Sequence, residues 1–364
     1  MQNLQRAILV NVIPPEIDKA EALSQFDELV RLIETYGGIV ILKILQRRGR
    51  PSAKTFVGEG KAEEIARLVR ELKADVVVIN GFLKANQSNH LINIIPCEVL
   101  DRFEMILKIF EKHARTPEAK LQLKIAQHKY EFPKLFGKGA ALSQQATGIA
   151  ARTAVSTGAG RRASRGPGEK ILEVKRRYFR EQIQTLEKQL EQFRRVREFQ
   201  RERRRRENFL TIALVGYTNS GKSSLLRALT KKENIVVENK LFSTLDTRLG
   251  HLHQASKILI ADTIGFMRNL PPLLFSSFLA TLEEVKEADV LLNVIDLSDP
   301  VMFEKIKVVE DILVQLECDK KPCIYVFNKI DIAHNADKEY LAHVFSKFSP
   351  VFVSALTKEN LNEL

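Results

Sequence analysis

Four residues with a fixed spacing carry the strongest chemical signal in the chain. Gly216, Gly221, Lys222 and Ser223, within "GYTNSGKSSLL", fit the phosphate-loop pattern G-x-x-x-x-G-K-[ST]. The run "FLTIALV" before them reads as a strand, and the apolar spacing after them reads as a helix. Glycines at these points let backbone N–H groups close on phosphate oxygens, and the helix N-terminus adds its dipole. Tyr217, Thr218, Asn219, Ser220 and Ser224 complete the expected cradle, with Lys222 reaching the β- and γ-phosphates and Ser223 holding Mg2+.

The loop alone does not separate ATP from GTP. Three later segments bear on that choice. "KILIADTIGF" reads as a strand ending in Asp262-Thr263-Ile264-Gly265, where Asp262 can serve Mg2+ through water and the Gly265 amide can sense a γ-phosphate. "PCIYVFNKIDIA" ends another strand in Asn328-Lys329-Ile330-Asp331. The Asp331 carboxylate can accept from the ring N–H and the amine of guanine, a donor pair that adenine lacks. Lys329 is expected over the base, Asn328 is expected to tie this loop to the phosphate loop, and the amides of Ser354-Ala355 suit the guanine carbonyl. In "KLFSTLDTRLG", Thr244 or else Thr247 is expected to complete Mg2+ coordination. The catalytic set is thus Lys222, Thr244 and Gly265, in a domain that binds and hydrolyses GTP. Phe266 stands where Ras-like enzymes orient water with Gln, and it can neither donate nor accept a hydrogen bond. Slow intrinsic hydrolysis, accelerated by a partner or an ion, is therefore expected.

These residues need elements to hold them. Before them, "RAILVNVI", "IVILKILQ" and "DVVVING" read as strands, alternating with helices over "AEALSQFDELVRLIETYGG" and "EGKAEEIARLVRELKA". Such alternation predicts a small parallel α/β layer. From Asp101 the pattern becomes helical, with Thr116-Pro117 marking a helix start. Residues 137–169 are rich in Gly, Ala, Ser and Thr and read as a mobile loop. Leu172, Phe179, Ile183, Leu186, Leu190 and Phe193 then mark one face of a long helix suited to an antiparallel partner. It ends in Arg194, Arg195, Arg197, Arg201 and Arg203 to Arg206, a density of like charge that bound RNA would relieve. Three segments are expected: an α/β domain over 1–100, a helical hairpin over 101–207, and a Ras-like α/β domain over 208–364 with nucleotide at the strand C-termini.

The formal charge of +12 points to a polyanionic partner. Cys97, Cys318 and Cys323 are too scattered for a disulfide framework, which suits a reducing cytosol. No apolar run reaches the roughly 18 residues of a membrane span, and "MQNLQRAILVNVIPPE" lacks a signal-peptide pattern. A cytoplasmic monomer without membrane or disulfide partners is expected.

The motifs resemble the Obg–HflX group of translation-associated GTPases, and within it the HflX family. "GYTNSGKSSLL", "LFSTLD", "DTIGF", "LLNVIDLSDP" and "NKID" carry the likeness, as do "FVGEGKAEEI", "LDRFEMILKIFEKHARTPEAKLQLKIAQHKYEFPKLFG" and "RGPGE" in the first half. The resemblance implies GTP hydrolysis stimulated by the ribosome. It also implies binding of the large ribosomal subunit and ribosomal RNA, in splitting, rescue or recycling. Asn219 becomes a candidate K+ ligand beside the phosphates, its alternative being a hydrogen bond within the loop. The chain departs from the family at Asp246-Thr247-Arg248, where Asp-Pro-Thr is common, and has a looser glycine pattern in "STGAGRRASRGPGE". Its last letters, "SALTKENLNEL", lead to the expectation of little room for a closing helix and none for a further C-terminal domain. Two other functions remain open: an RNA-remodelling enzyme with a second nucleotide activity in the N-terminal half, and a GTPase switch unrelated to ribosomes. The second activity has thin support, because "VGEGKAEE" lacks phosphate-loop spacing.

Overall fold

A computed structural model describes residues 5–17, 19–134, 167–230, 242, 248–252, 255, 257–268 and 279–364. The chain divides into two compact units, one of Met1–Lys108 with Leu123–Gln189 and the other of Ile109–Gln122 with Leu190–Leu364.

In the first unit, β1 (Gln5–Ile13), β2 (Gly38–Arg47), β3 (Val76–Ile79) and β4 (Glu98–Asp101) form a parallel sheet in the order β2-β1-β3-β4. Helices α1 (Lys19–Tyr36), α2 (Glu59–Leu72) and α3 (Ala85–Ile94) make the crossovers. The central strands are apolar without alternation because both faces are covered: Ala7 to Val10 and Val77 to Ile79 are fully buried. Helix α1 stops at Gly37, whose φ of 98° lets its N–H return to the Ile33 carbonyl at 3.0 Å. The parallel layer is as expected. Strand β4, not read from the sequence, is only four residues long and runs directly into α4 (Arg102–His113). Asp101 makes that junction: its carboxylate accepts from the N–H of Glu104 at 2.9 Å and of Leu83 at 3.0 Å, and from the Tyr130 hydroxyl.

The hairpin pairs α5 (residues 117–134) with α6 (Pro167–Arg206). Thr116 opens α5 by accepting from the Ala119 N–H at 3.2 Å. Within the first unit, Lys129 meets Glu187 at 2.8 Å, and the rings of His128 and Phe179 lie 5.2 Å apart. Within the second unit, Glu118 meets Arg197 at 2.8 Å. In the first unit the Arg180 guanidinium also lies 5.9 Å from the Phe132 ring centre, so from Lys129–Glu187 to Phe132–Arg180 the numbers rise on one helix as they fall on the other, as in an antiparallel pair. Phe179, Ile183, Leu186, Leu190 and Phe193 lie partly buried on one face of α6; the Leu172 side chain and most of the expected loop over 137–169 fall outside the described residues.

The second unit holds a six-stranded sheet in the order β10-β9-β8-β5-β7-β6. The strands are β5 (Leu210–Val215), β6 (Arg248–His251), β7 (Ile258–Asp262), β8 (Val290–Asp296), β9 (Cys323–Asn328) and β10 (Val351–Val353). All pairs are parallel except β6 with β7. The helices are α7 (Lys222–Leu229), α8 (Leu279–Glu287), α9 (Met302–Gln315) and α10 (Lys338–Val344). Leu214, Leu225, Leu226, Ile260, Val294 and Val326 pack into one core, each contributing about 1.5–3 kcal/mol by leaving water. Central β5 is followed in the sheet by β7 on one side and β8 on the other, so its C-terminal end lies at a topological switch point, where ligands bind in such sheets.

The arginine-rich end of α6 corrects one expectation. Arg197, Arg201 and Arg204 continue the partly buried face of the helix and pair with acidic residues. Arg195, Arg203 and Arg206 remain exposed. Local carboxylates, rather than RNA alone, relieve much of the charge density.

Candidate functional site

The phosphate loop springs from the end of β5 and turns into α7. Its glycines are there for space. A Cβ on Gly216, at φ 142°, would lie 2.3 Å from the Val294 carbonyl oxygen, and one on Gly221, at φ 98°, would lie 2.1 Å from Asn328 Nδ2. Asn219 also takes the left-handed region, at φ 63°, which Asn tolerates better than most residues. Lys222 is buried and donates from Nζ to the carbonyls of Gly216 at 3.1 Å and Tyr217 at 2.7 Å. Burial pushes its pKa down to about 8, a shift opposed by Asp262 and helped by Lys329. The hydroxyls of Thr218 and Ser220 are buried and have no hydrogen-bond partner in the described structure. Unsatisfied donors inside a glycine-rich turn fit an anion with several oxygens.

The strand end at β7 closes onto this loop. Phe266 donates its N–H to the Gly216 carbonyl at 3.0 Å and accepts from the Thr218 N–H at 2.7 Å. Its ring is fully buried, so Phe266 is a packing residue here. Gly265 lies so close that a Cβ would sit 2.7 Å from Thr218 Cα and 3.0 Å from Lys222 Nζ. The Ser223 hydroxyl donates to Asp262 Oδ2 at 2.6 Å. Two hard oxygen donors side by side, both buried, suit Mg2+. Thr244 and Thr247 lie outside the described residues.

At the C-terminal end of β9, Asn328 joins three segments. Its Nδ2 donates to the Ser220 carbonyl at 2.9 Å, and its Oδ1 accepts from the Ala355 N–H at 3.0 Å. Ser354 donates from Oγ to Asp331 Oδ1 at 2.6 Å, holding the carboxylate in place. The Ser354 N–H goes to the Glu359 carbonyl at 3.1 Å. Both amides expected to face a guanine carbonyl are thus engaged within the loop, while Asp331, Ser354, Ala355 and Asn328 do come together.

Two features escaped the sequence reading. Asp296, at the end of β8, takes the Lys329 ammonium at 2.6 Å and orients it. The signal was present: an acidic residue ends the strand next to β9, in register with Asn328. The second is Tyr217, whose hydroxyl accepts from the Arg268 N–H at 3.0 Å while the Lys305 ammonium lies 5.0 Å from its ring centre. The Tyr217 side chain therefore braces the loop against α9, and its carbonyl serves Lys222.

Known proteins share this plan. Residues 24–111 match the family model of the GTP-binding GTPase N-terminal region, 113–204 that of the GTP-binding GTPase middle region, and 211–329 that of a 50S ribosome-binding GTPase. The GTPase HflX of Caldanaerobacter subterraneus subsp. tengcongensis is 41% identical over 330 residues, covering 90% of this chain and 73% of that one. The GTPase HflX of Alkalihalophilus pseudofirmus is 41% identical over 306 residues, covering 84% of this chain and 69% of that one. The crystal structure of SsGBP with GDP aligns at a TM-score of 0.56 and 25% identity, covering 99% of this chain and 96% of that one. The phosphate loop, the family models and these relatives lead to one conclusion: the chain belongs to the HflX family of GTPases and binds and hydrolyses GTP.

Proposed function

We propose that this GTPase acts on the large ribosomal subunit, in splitting, rescue or recycling, with ribosomal RNA as part of its docking surface. One observation carries the reading: residues 211–329 match a family model described by its binding to the 50S ribosome. The charge of +12 and the exposed Arg195, Arg203 and Arg206 support a polyanionic partner. The segments 1–100, 101–207 and 208–364 would act as platform, RNA-reaching hairpin and motor. A cytoplasmic monomer fits this role.

For hydrolysis, water attacks the γ-phosphorus in line with the leaving β-phosphate. Lys222 exchanges its two carbonyl partners for β- and γ-phosphate oxygens and stabilises the charge that develops there. Phosphate-loop amides enclose the β-phosphate, and the Gly265 amide meets the γ-phosphate. Asp331 accepts from guanine, Lys329 covers the base, and Ser354 and Ala355 shape the rim. Ser223, Asp262 and Thr244 would hold Mg2+, which when bound neutralises charge across the β- and γ-phosphates. Asn219 would take K+ beside the same oxygens. With Phe266 buried and unable to orient water, the ribosome or K+ supplies the missing acceleration.

The test is the GTPase rate of the whole protein with and without purified large subunits, in K+ and in Na+. Stimulation by subunits of tenfold or more is expected, on the order of 1.4 kcal/mol off the barrier. Equal rates with and without subunits would overturn the ribosomal reading and leave a switch of another kind. Nucleotide hydrolysis that survives Lys222→Ala would instead reveal a second site in the N-terminal half.

A further inference from the structure

The face of α6 that is apolar up to Phe193 becomes cationic at Arg197, Arg201 and Arg204, spaced by four and three residues. Within the second unit this face meets Glu283 and Glu284 of α8. Arg201, only 9% exposed, donates from Nε and Nη2 to Glu284 Oε1 at 3.1 Å, and from Nη1 and Nη2 to Glu283 Oε2 at 3.2 Å. Arg204 adds a bond to Glu284 at 3.3 Å, and Arg197 reaches Glu118 at 2.8 Å and Glu283 at 3.6 Å. Three guanidinium groups of this face, and the exposed Arg194 at 3.5 Å from Glu283, thus meet three carboxylates, and Glu284 is 4% exposed. Arg197 Nε and Arg204 Nη1 are buried without a hydrogen-bond partner among the described residues, so the cluster defines a geometry more than it adds stability.

Of the two helices joined here, α6 precedes the phosphate loop in sequence and α8 follows the Gly265 segment. α6 passes through a three-residue turn, closed by the Phe209 N–H on the Arg204 carbonyl at 3.0 Å, into β5 and the phosphate loop. α8 is the next described helix after Gly265. The far end of α8 is already pinned to β5: Asp289 donates its N–H to the Thr211 carbonyl at 2.8 Å, and its carboxylate accepts from the Thr211 N–H at 2.7 Å. One attachment leaves a helix free to pivot, whereas a second on its flank sets its axis. A further contact lies two residues before Thr244 in sequence: Phe242 packs edge-on against Phe110, their ring centres 4.6 Å apart.

We propose that Arg201 is a positioning residue for GTP hydrolysis, acting through Glu283 and Glu284 to fix α8 against the arginine end of α6. The proposal rests on GTP hydrolysis and not on the ribosomal reading. It makes the end of the hairpin an input to the nucleotide site: whatever draws the arginines away releases α8.

The experiment measures GTP turnover without ribosomes in Arg201→Ala, Arg201→Lys and the exchange Arg201→Glu with Glu284→Arg. In Arg201→Ala, kcat is expected to fall about tenfold while KM for GTP changes by less than about threefold, because the groups that bind phosphate and base are untouched. Arg201→Lys, which keeps the charge but not the fork, is expected to recover part of kcat, and the exchange is expected to exceed Arg201→Glu alone. Arg201→Ala leaves buried carboxylates without their partner, so its folding is checked against Arg201→Met combined with Glu283→Gln and Glu284→Gln, which removes these three charges together, leaves Arg197 its Glu118 partner and leaves Arg204 an amide oxygen to donate to. That triple variant, folded and with kcat within about twofold of the parent, overturns the proposal. Amide exchange in the unaltered protein gives an independent reading: α8 and residues 197–206 should change protection together between GDP and a non-hydrolysable GTP analogue. Protection that is the same in both states also overturns it.

Discussion

The side chain of Asn328 spans the gap between the phosphate loop and the loop after β10, donating to the Ser220 carbonyl at 2.9 Å and accepting from the Ala355 N–H at 3.0 Å. It is 2% exposed, so neither bond has water as a substitute. Asn328→Ala should lower stability by about 1–3 kcal/mol, because a buried carbonyl and a buried N–H lose their partner. Affinity for GDP should fall at least as steeply as stability, since two loops then move independently. Chemical denaturation and fluorescent-GDP titration measure the two effects.

Ser354 holds Asp331 by its Oδ1 at 2.6 Å, and Asp331 is the residue proposed to read the base. Asp331→Asn replaces an acceptor with a donor toward the guanine amine. GTP affinity should drop by about a hundredfold, two charge-assisted bonds being weakened at once. Xanthosine triphosphate, with a carbonyl in place of that amine, should bind the variant better than GTP does. Unchanged preference for GTP would remove Asp331 from base recognition.

The buried Lys222 ammonium, with its pKa pushed down to about 8, makes a pH prediction with a definite sign. Its folded value lies below the ordinary 10.5, so the unfolded chain binds more protons between the two, and this residue's contribution to stability rises with pH across that window. Phosphate oxygens favour the charged form, so nucleotide binding should raise the pKa again. Calorimetry at pH 8.5 in buffers of different ionisation enthalpy should show proton uptake on GDP binding, and Lys222→Ala should abolish it. Buffer-independent heats in the parent protein would refute the assignment.

Phe266 is expected to contribute packing and no chemistry. Phe266→Ala should cost about 3–5 kcal/mol of stability through the cavity left behind. Turnover per folded molecule should remain close to the parent, because the backbone bonds to Gly216 and Thr218 do not depend on the ring. A hundredfold loss of kcat per folded molecule, measured at a temperature where the variant remains folded, would contradict this.

Gly265→Ala tests the closeness of the two phosphate-facing segments. The added methyl would stand 2.7 Å from Thr218 Cα, and backbone cannot yield as a side-chain tip can. Hydrolysis should fall by more than tenfold, on the order of 1.4 kcal/mol, with GDP affinity much less affected. Equal losses in both would mean that the loop as a whole is distorted.

Much of this was legible in the letters. The phosphate loop, the Asp262–Gly265 strand end and the Asn328–Asp331 segment are local patterns: each role depends on residues a few positions apart at the end of one strand. The helical face marked by Phe179 to Phe193 was legible because a helix repeats every 3.6 residues. Strand β4 was missed because four residues show too little alternation to separate from the helix that follows.

The sequence by itself determined the chemistry available: which side chains can cradle phosphate, which carboxylate can read guanine, and that no glutamine follows Gly265. Tertiary structure alone decided what the charges face. Arg197, Arg201 and Arg204 look like their exposed neighbours in the sequence, since each is only one more arginine in a basic run. Glu283 and Glu284, about eighty positions away, turn three of them into internal partners. Ion pairing acts over a few ångströms in space whatever the separation along the chain, and only the folded chain brings those groups within that range.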